Sequence, residues 1–133
     1  MENHRILFVE AYEHARLAFS RILRGSGLNN ITIACNGKEA LDIIATNEKF
    51  DLILMDKVMA VMNGLDATKA IRDIVGYENV PIIICSSHGN LKGDKEECLR
   101  SGATAWLAKP ISKQDFLEKI GEYIPEILPK IVS

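Results

Sequence analysis

Short apolar runs that end abruptly on a polar residue, each followed by a helical pattern, constrain this chain more than any other feature. Ile6-Leu7-Phe8-Val9 runs into Glu10, Leu52-Ile53-Leu54-Met55 into Asp56, and the stretch from Val80 to Cys85 into Ser86-Ser87. Runs of this kind read as strands buried on both faces, as in a parallel sheet. Taken in order, strands are expected over Arg5 to Glu10, Asn30 to Cys35, Asp51 to Asp56, Val80 to Cys85 and Thr104 to Ala108. Between and after them, helices are expected over Tyr12 to Arg24, Lys38 to Glu48, Gly64 or Leu65 to Val75, Asp94 to Ser101, and Lys113 to about Tyr123. The first helix has Ala15, Leu17, Ala18, Ile22 and Leu23 at roughly the 3.6 period, and Gly25 and Gly27 stop it. The last has Ser112 as its cap and Phe116, Leu117 and Ile120 on one face, and Pro125 and Pro129 break the tail.

A β-α unit repeated five times gives a parallel sheet covered by helices on both faces. Right-handed crossovers leave few topologies, and for five strands the common one is the flavodoxin-like order 2-1-3-4-5, a doubly wound sandwich. Its switch point lies between the first and third strands, so Glu10 and Asp56 should face each other across one crevice. With 133 residues, the chain is expected to be a single domain, with a core over about 4–124 and a tail over 125–133.

Hydrophobic content of 47% and charged content of 26% are ordinary for a globular protein, and a net charge of −2 makes no electrostatic case for nucleic acid or anionic membrane. No apolar run approaches the ~20 residues that a membrane span needs. The N-terminus begins a strand almost at once, without a secretory layout, and the tail has no basic recognition helix. Cys35, Cys85 and Cys98 have no metal-type spacing and read as buried, reduced thiols of a cytoplasmic protein.

Four strand ends thus bring Glu10, Asp56, Ser86 and Lys109 to one edge. Two carboxylates, a hydroxyl and an ammonium suit phosphoryl transfer to Asp56. The ammonium and the hydroxyl can bind phosphoryl oxygens, and the carboxylates can hold Mg²⁺. Each alone has a plainer reading: a strand-end Asp as a turn residue, Glu10 as a helix cap, Ser86 as a loop hydroxyl, Lys109 as a solvated turn residue. Their joint occurrence in this order is the stronger signal. Lys57 reads as a solvated loop lysine, His4, His14 and His88 as exposed, and Met55, Met59 and Met62 as packing.

On these residues the chain resembles the receiver domains of two-component response regulators, over about residues 4–124. LILMD with Gly64 eight residues on, Ser86, Lys109-Pro110, and Met59, Met62 and Asn63 in the intervening loop carry the likeness. The resemblance implies a signalling domain rather than an enzyme, with Asp56 as the phosphoacceptor and Lys109 and Ser86 as its partners. Ser86 and Trp106 would be the switch pair, and a cis bond would precede Pro110. The donor would be a histidine kinase or a histidine phosphotransfer protein. The output would be a downstream protein bound through the fourth helix, fifth strand and fifth helix, with a homodimer allowed. Trp106 reads equally well as packing on an edge strand.

The family's first strand normally ends in two adjacent acids, and here the pair is Glu10-Ala11. The Mg²⁺ ligands would reduce to Asp56 and the Val58 carbonyl, with Glu10 acting through bound water. Ala11 stands where a ligand is missing, so the ion would be held weakly. A second reading follows: a phosphorylation-impaired pseudo-receiver that binds partners constitutively. A small α/β enzyme or flavin binder fits less well. EAYEHAR follows the first strand where a flavin site needs a Ser/Thr/Gly-rich loop, and Val58 stands where an aspartyl phosphatase has its second Asp.

Overall fold

The computed structural model describes residues 4–46 and 49–127. Five strands, β1 (Arg5–Val9), β2 (Asn30–Ala34), β3 (Leu52–Asp56), β4 (Ile82–Ser86) and β5 (Ala105–Ala108), form one parallel sheet in the order β2-β1-β3-β4-β5. The helices are α1 (Glu13–Gly25), α2 (Gly37–Thr46), α3 (Gly64–Arg72), α4 (Asp94–Arg100) and α5 (Lys113–Gly121), with a 3-10 turn at Pro125–Ile127. The alternation in the sequence therefore gives the doubly wound fold it implies.

The period-2 geometry of each strand splits the core in two. Leu7, Val9, Ile53, Met55, Ile82 and Ile84 point to one face, where Ala40 and Ile44 of α2, Ala67 and Ile71 of α3 and Cys98 of α4 cover them. Ile6, Phe8, Leu52, Leu54 and Ile83 point to the other, against Leu23 of α1 and Phe116, Leu117 and Ile120 of α5. Every residue of β3 and β4 is buried, as expected of central strands covered on both faces. Met55 and Met59 lie in the core and Met62 packs on it, as their spacing suggests.

Several local expectations are corrected. The third helix ends at Arg72, not Val75, and Val75 is 91% exposed. Leu17 and Ala18 are exposed: α1 touches the sheet through Leu23, with Phe19 and Ile22 packed beside it, a phase set by the neighbouring α5 rather than by the apolar count. Cys35 is exposed, because it lies just past the end of the edge strand β2, which stops at Ala34. Cys85 and Cys98 are buried, free thiols, and burial pushes them up to about 12 and about 11. His4 is not free but paired with Glu126 at 2.6 Å. Glu48 and Pro129 lie outside the described residues.

Caps fix three of the turns. Asn36, Asn63 and Ser112 each accept, through a side-chain oxygen, the backbone N–H three residues on, at 2.9–3.0 Å. Arg72 fixes a fourth junction. Its guanidinium donates to the carbonyls of Gly102, Tyr77 and Val80 and to the Thr104 hydroxyl, tying the end of α3 to the entries of β4 and β5. Arg72→Met leaves these acceptors without their donor and is expected to destabilise the fold by about 2–3 kcal/mol, read as a lower urea midpoint at unchanged m-value.

Candidate functional site

The register of the sheet brings the polar strand ends together. Val9 lies beside Met55 and Asp56 beside Cys85, while Ser86 lies beside Ala108. Glu10, Asp56, Ser86 and Lys109, each at or just past a C-terminal strand end, therefore share one edge of the sheet. Glu10, Asp56 and Lys109 border a cleft of about 610 Å³ together with Val58, Pro110, Tyr12, His14 and other residues of α1. The peptide bond between Lys109 and Pro110 is cis.

Lys109 stands between the carboxylates. Its Nζ donates to Glu10 Oε1 and to Asp56 Oδ1, both at 3.1 Å. Glu10 Oε2 accepts from the Tyr12 N–H at 3.1 Å, so Glu10 also shapes the entry to α1. Asp56 is 5% exposed, and its Oδ2 has no hydrogen-bond partner among the described residues. Burial and the neighbouring Glu10 carboxylate push the Asp56 carboxyl up to about 6, against the pull of Lys109. Burial lowers the Lys109 pKa, but the charges of Asp56 and Glu10 outweigh it and hold the ammonium above its ordinary value.

Glycines set two close approaches. A Cβ at Gly64 would fall 2.2 Å from the Asp56 carbonyl oxygen, so only glycine lets the start of α3 fold back on β3. A Cβ at Gly89 would fall 2.3 Å from that of Ala108, so the β4–α4 loop lies directly on β5. Between Asp56 and Gly64 the loop turns sharply at Val61, whose φ of 70° is left-handed, and Met62 N–H donates back to Ala60 O at 2.7 Å.

Ser86 is fully buried, and its Oγ accepts from the His88 N–H at 3.0 Å. The recorded contact of His88 with this site is thus through its backbone. Trp106 is half-buried, packed on the core, and its Nε1–H donates to Asp94 Oδ2 at 2.8 Å. Lys57 is corrected: it is 9% exposed and bridges Asp94 at 2.5 Å and Glu97 at 3.0 Å. Sequence reasoning missed Asp94, although an acid in the first turn of a short helix beside an unassigned lysine was a usable signal. It also missed Arg16, whose guanidinium donates to the carbonyls of Glu10 and Ala11 at 2.9 and 3.0 Å.

For a divalent cation, the buried, partnerless Oδ2 of Asp56 beside Glu10 is a fitting anionic donor. Ala11 offers no side-chain oxygen, and among the described residues no three His, Cys, Asp or Glu side chains converge. The donors fit Mg²⁺ with most of its shell left to water.

Two outcomes are expected. Between pH 3.8 and about 6 the folded protein binds more protons at Asp56 than the unfolded chain does, so the stability that protonation gives is present at low pH and lost as pH rises through about 6. Asp56→Asn, which cannot ionise, should therefore be more stable than the wild type above that range by roughly 1–2 kcal/mol, the gap closing toward acid in urea titrations at several pH values. Val61 is 77% exposed, so Val61→Gly relieves its backbone strain without loss of packing. It should raise the urea midpoint by the equivalent of about 0.5–1 kcal/mol.

Comparison with known proteins agrees with this geometry. The sequence matches the response regulator receiver domain over residues 6–121. The polar-differentiation response regulator DivK of Brucella anthropi is 34% identical over 119 residues, 90% of this chain and 94% of that protein. Hybrid signal transduction histidine kinase I of Dictyostelium discoideum is 42% identical over 101 residues, 71% of this chain but 6% of the kinase. The chain therefore spans nearly all of one relative and a small part of the other. Among solved structures, the chemotaxis protein CheY4 of Vibrio cholerae superposes with a TM-score of 0.82 at 29% identity, covering 90% of this chain and 98% of that one. The receiver domain of a Pseudomonas aeruginosa sensor histidine kinase, described with a magnesium ion coordinated in its active-site cleft, gives 0.82 at 31% identity over 92% and 98% of the two chains. From its strand order to the residues at its switch point, the chain belongs to the response regulator receiver domain family.

Proposed function

We propose that this chain is a single receiver domain that takes a phosphoryl group on Asp56 from the phosphohistidine of a histidine kinase or phosphotransfer protein and changes a protein-binding surface in response. The observation that carries this reading is the Asp56 carboxylate. One oxygen is held by Lys109, and the other is buried at the cleft without a partner. In the transfer the donor's P–N bond breaks and a P–O bond to Asp56 forms, while the imidazole leaves with the electron pair and takes up a proton. Lys109 neutralises charge on the transferred group, and Ser86 hydrogen-bonds one of its oxygens. Asp56 and the Val58 carbonyl would hold Mg²⁺, with Glu10 acting through its waters; such an ion neutralises charge on the phosphoryl oxygens.

The output surface is the face formed by α4, β5 and α5, with Trp106 moving as Ser86 is drawn to the phosphate. A downstream protein or a second copy of the chain would bind there. A cytoplasmic setting suits such a relay, and no helix among the described residues is long and apolar enough to cross a membrane.

Ala11 supports a second reading, a pseudo-receiver with the same surface and an impaired acceptor. Incubation with acetyl phosphate or phosphoramidate and Mg²⁺, followed by intact-mass measurement, separates the two. The receiver reading expects a gain of about 80 Da that Asp56→Asn abolishes. No gain at any Mg²⁺ concentration favours the pseudo-receiver. Ala11→Asp is expected to tighten Mg²⁺ binding at least about ten-fold, followed by quenching of Trp106 fluorescence.

A further inference from the structure

Lys57 follows Asp56 directly, yet the phosphoryl-acceptor reading gives it no part. The main chain fixes its place: its N–H donates to Cys85 O at 3.0 Å, and its C=O accepts from the Gly64 N–H at 2.8 Å. Its side chain reaches the first turn of α4, where Nζ meets Asp94 Oδ1 at 2.5 Å and Glu97 Oε1 at 3.0 Å. Asp94 is 4% exposed, and its other oxygen, Oδ2, accepts from Trp106 Nε1 at 2.8 Å. A Cβ at Gly89 would fall 3.3 Å from the Trp106 ring, so the indole also lies close to the β4–α4 loop. Direct contacts thus run from the residue after Asp56, through one buried carboxylate, to the aromatic of β5.

An indole N–H can only donate, so an indole packed on the core needs an acceptor. A carboxylate buried to this degree stays ionised, and so stays an acceptor, only beside a cation. Lys57 is that cation. With one oxygen on the lysine and the other on the indole, the carboxylate is held in one orientation. We propose that Lys57 is a positioning residue that, through Asp94, holds the Trp106 indole in place and so sets the face of α4, β5 and α5 before any phosphoryl group arrives. The proposal rests on the reading of that face as the output surface. Without the lysine, the buried carboxyl takes up a proton, and the indole loses its anionic acceptor.

Trp106 is the only tryptophan in the chain, so an isotope-labelled sample gives a single indole N–H resonance. With no phosphodonor present, this proton is expected to exchange with solvent at least about ten-fold more slowly in the wild type than in free indole. Lys57→Met, with the backbone amide spectrum checking the fold, should shift the resonance and speed its exchange at least about five-fold. Lys57→Met combined with Asp94→Asn should slow exchange again, because an amide oxygen accepts without a cation. Glu97→Gln loosens the same turn of α4 but spares both bonds of Asp94, and should leave the indole as in the wild type. Free-indole exchange in the wild type overturns the proposal without recourse to any variant. So does a Lys57→Met indole that exchanges as the wild type does, or a double variant that stays fast. A Glu97→Gln indole as fast as that of Lys57→Met overturns it too, since general loosening of α4 would then explain both. Acetyl phosphate with Mg²⁺, read by intact mass and by the amide shifts of α4, β5 and α5, tests the receiver reading and its output face separately, because none of the indole measurements uses a phosphodonor.

Discussion

One ammonium between two buried carboxylates is the interaction on which the site depends. Lys109 reaches Glu10 and Asp56 at equal distance, and each comes from a different strand end. Burying two like charges at a sheet's switch point is costly, and a single cation compensates only one of them. The surplus falls on Asp56, whose second oxygen has no partner among the described residues and whose carboxyl is pushed up to about 6. A group already undercompensated when ionised gains from anything that brings cations or donors to it. The site is arranged around that deficit. Where a third acid would deepen it, Ala11 leaves it shallower and weakens the pull on a divalent ion.

A second cation–carboxylate cluster lies on the opposite side of the same strand. Adjacent residues of an extended chain point to opposite faces, so Asp56 turns to the cleft and Lys57 to α4. There Lys57 meets Asp94 and Glu97. Burial would lower the lysine's pKa, but the two acids hold it above its ordinary value, and hydrogen bonds from Lys57 and Trp106 keep Asp94 low despite its burial. The charge at Asp56 and the charge at Lys57 are separated by one peptide unit and by the plane of the sheet.

This pairing also marks where the sequence stopped being informative. The alternation of apolar runs and helical patterns was enough for the strand order, because central strands buried on both faces leave a plain signature. It was enough as well to place four polar strand ends on one edge. It failed for Lys57, although the premise was sound: a residue next to Asp56 does point away from the cleft. What lies there is a helix rather than water, and nothing local in the sequence says so. Cys35 failed for another reason: the edge strand stops at Ala34, which is buried, and the next residue already lies in the turn outside it. Leu17 has the right period but the wrong phase, and phase is set by the helix packed alongside.

The β1–α1 loop decides how Ala11 should be understood. Arg16 fastens this loop by donating to two backbone carbonyls, those of Glu10 and Ala11. Backbone acceptors are indifferent to the side chain at position 11. Glu10 adds a second tie through the Tyr12 N–H. The loop's shape is therefore held without a second acid and without a metal ion bridging it to β3. A carboxylate introduced at position 11 would add charge to a frame already in place, rather than build the frame. The two functional readings of this chain thus differ in the strength of the electrostatic field at Asp56, not in the architecture around it.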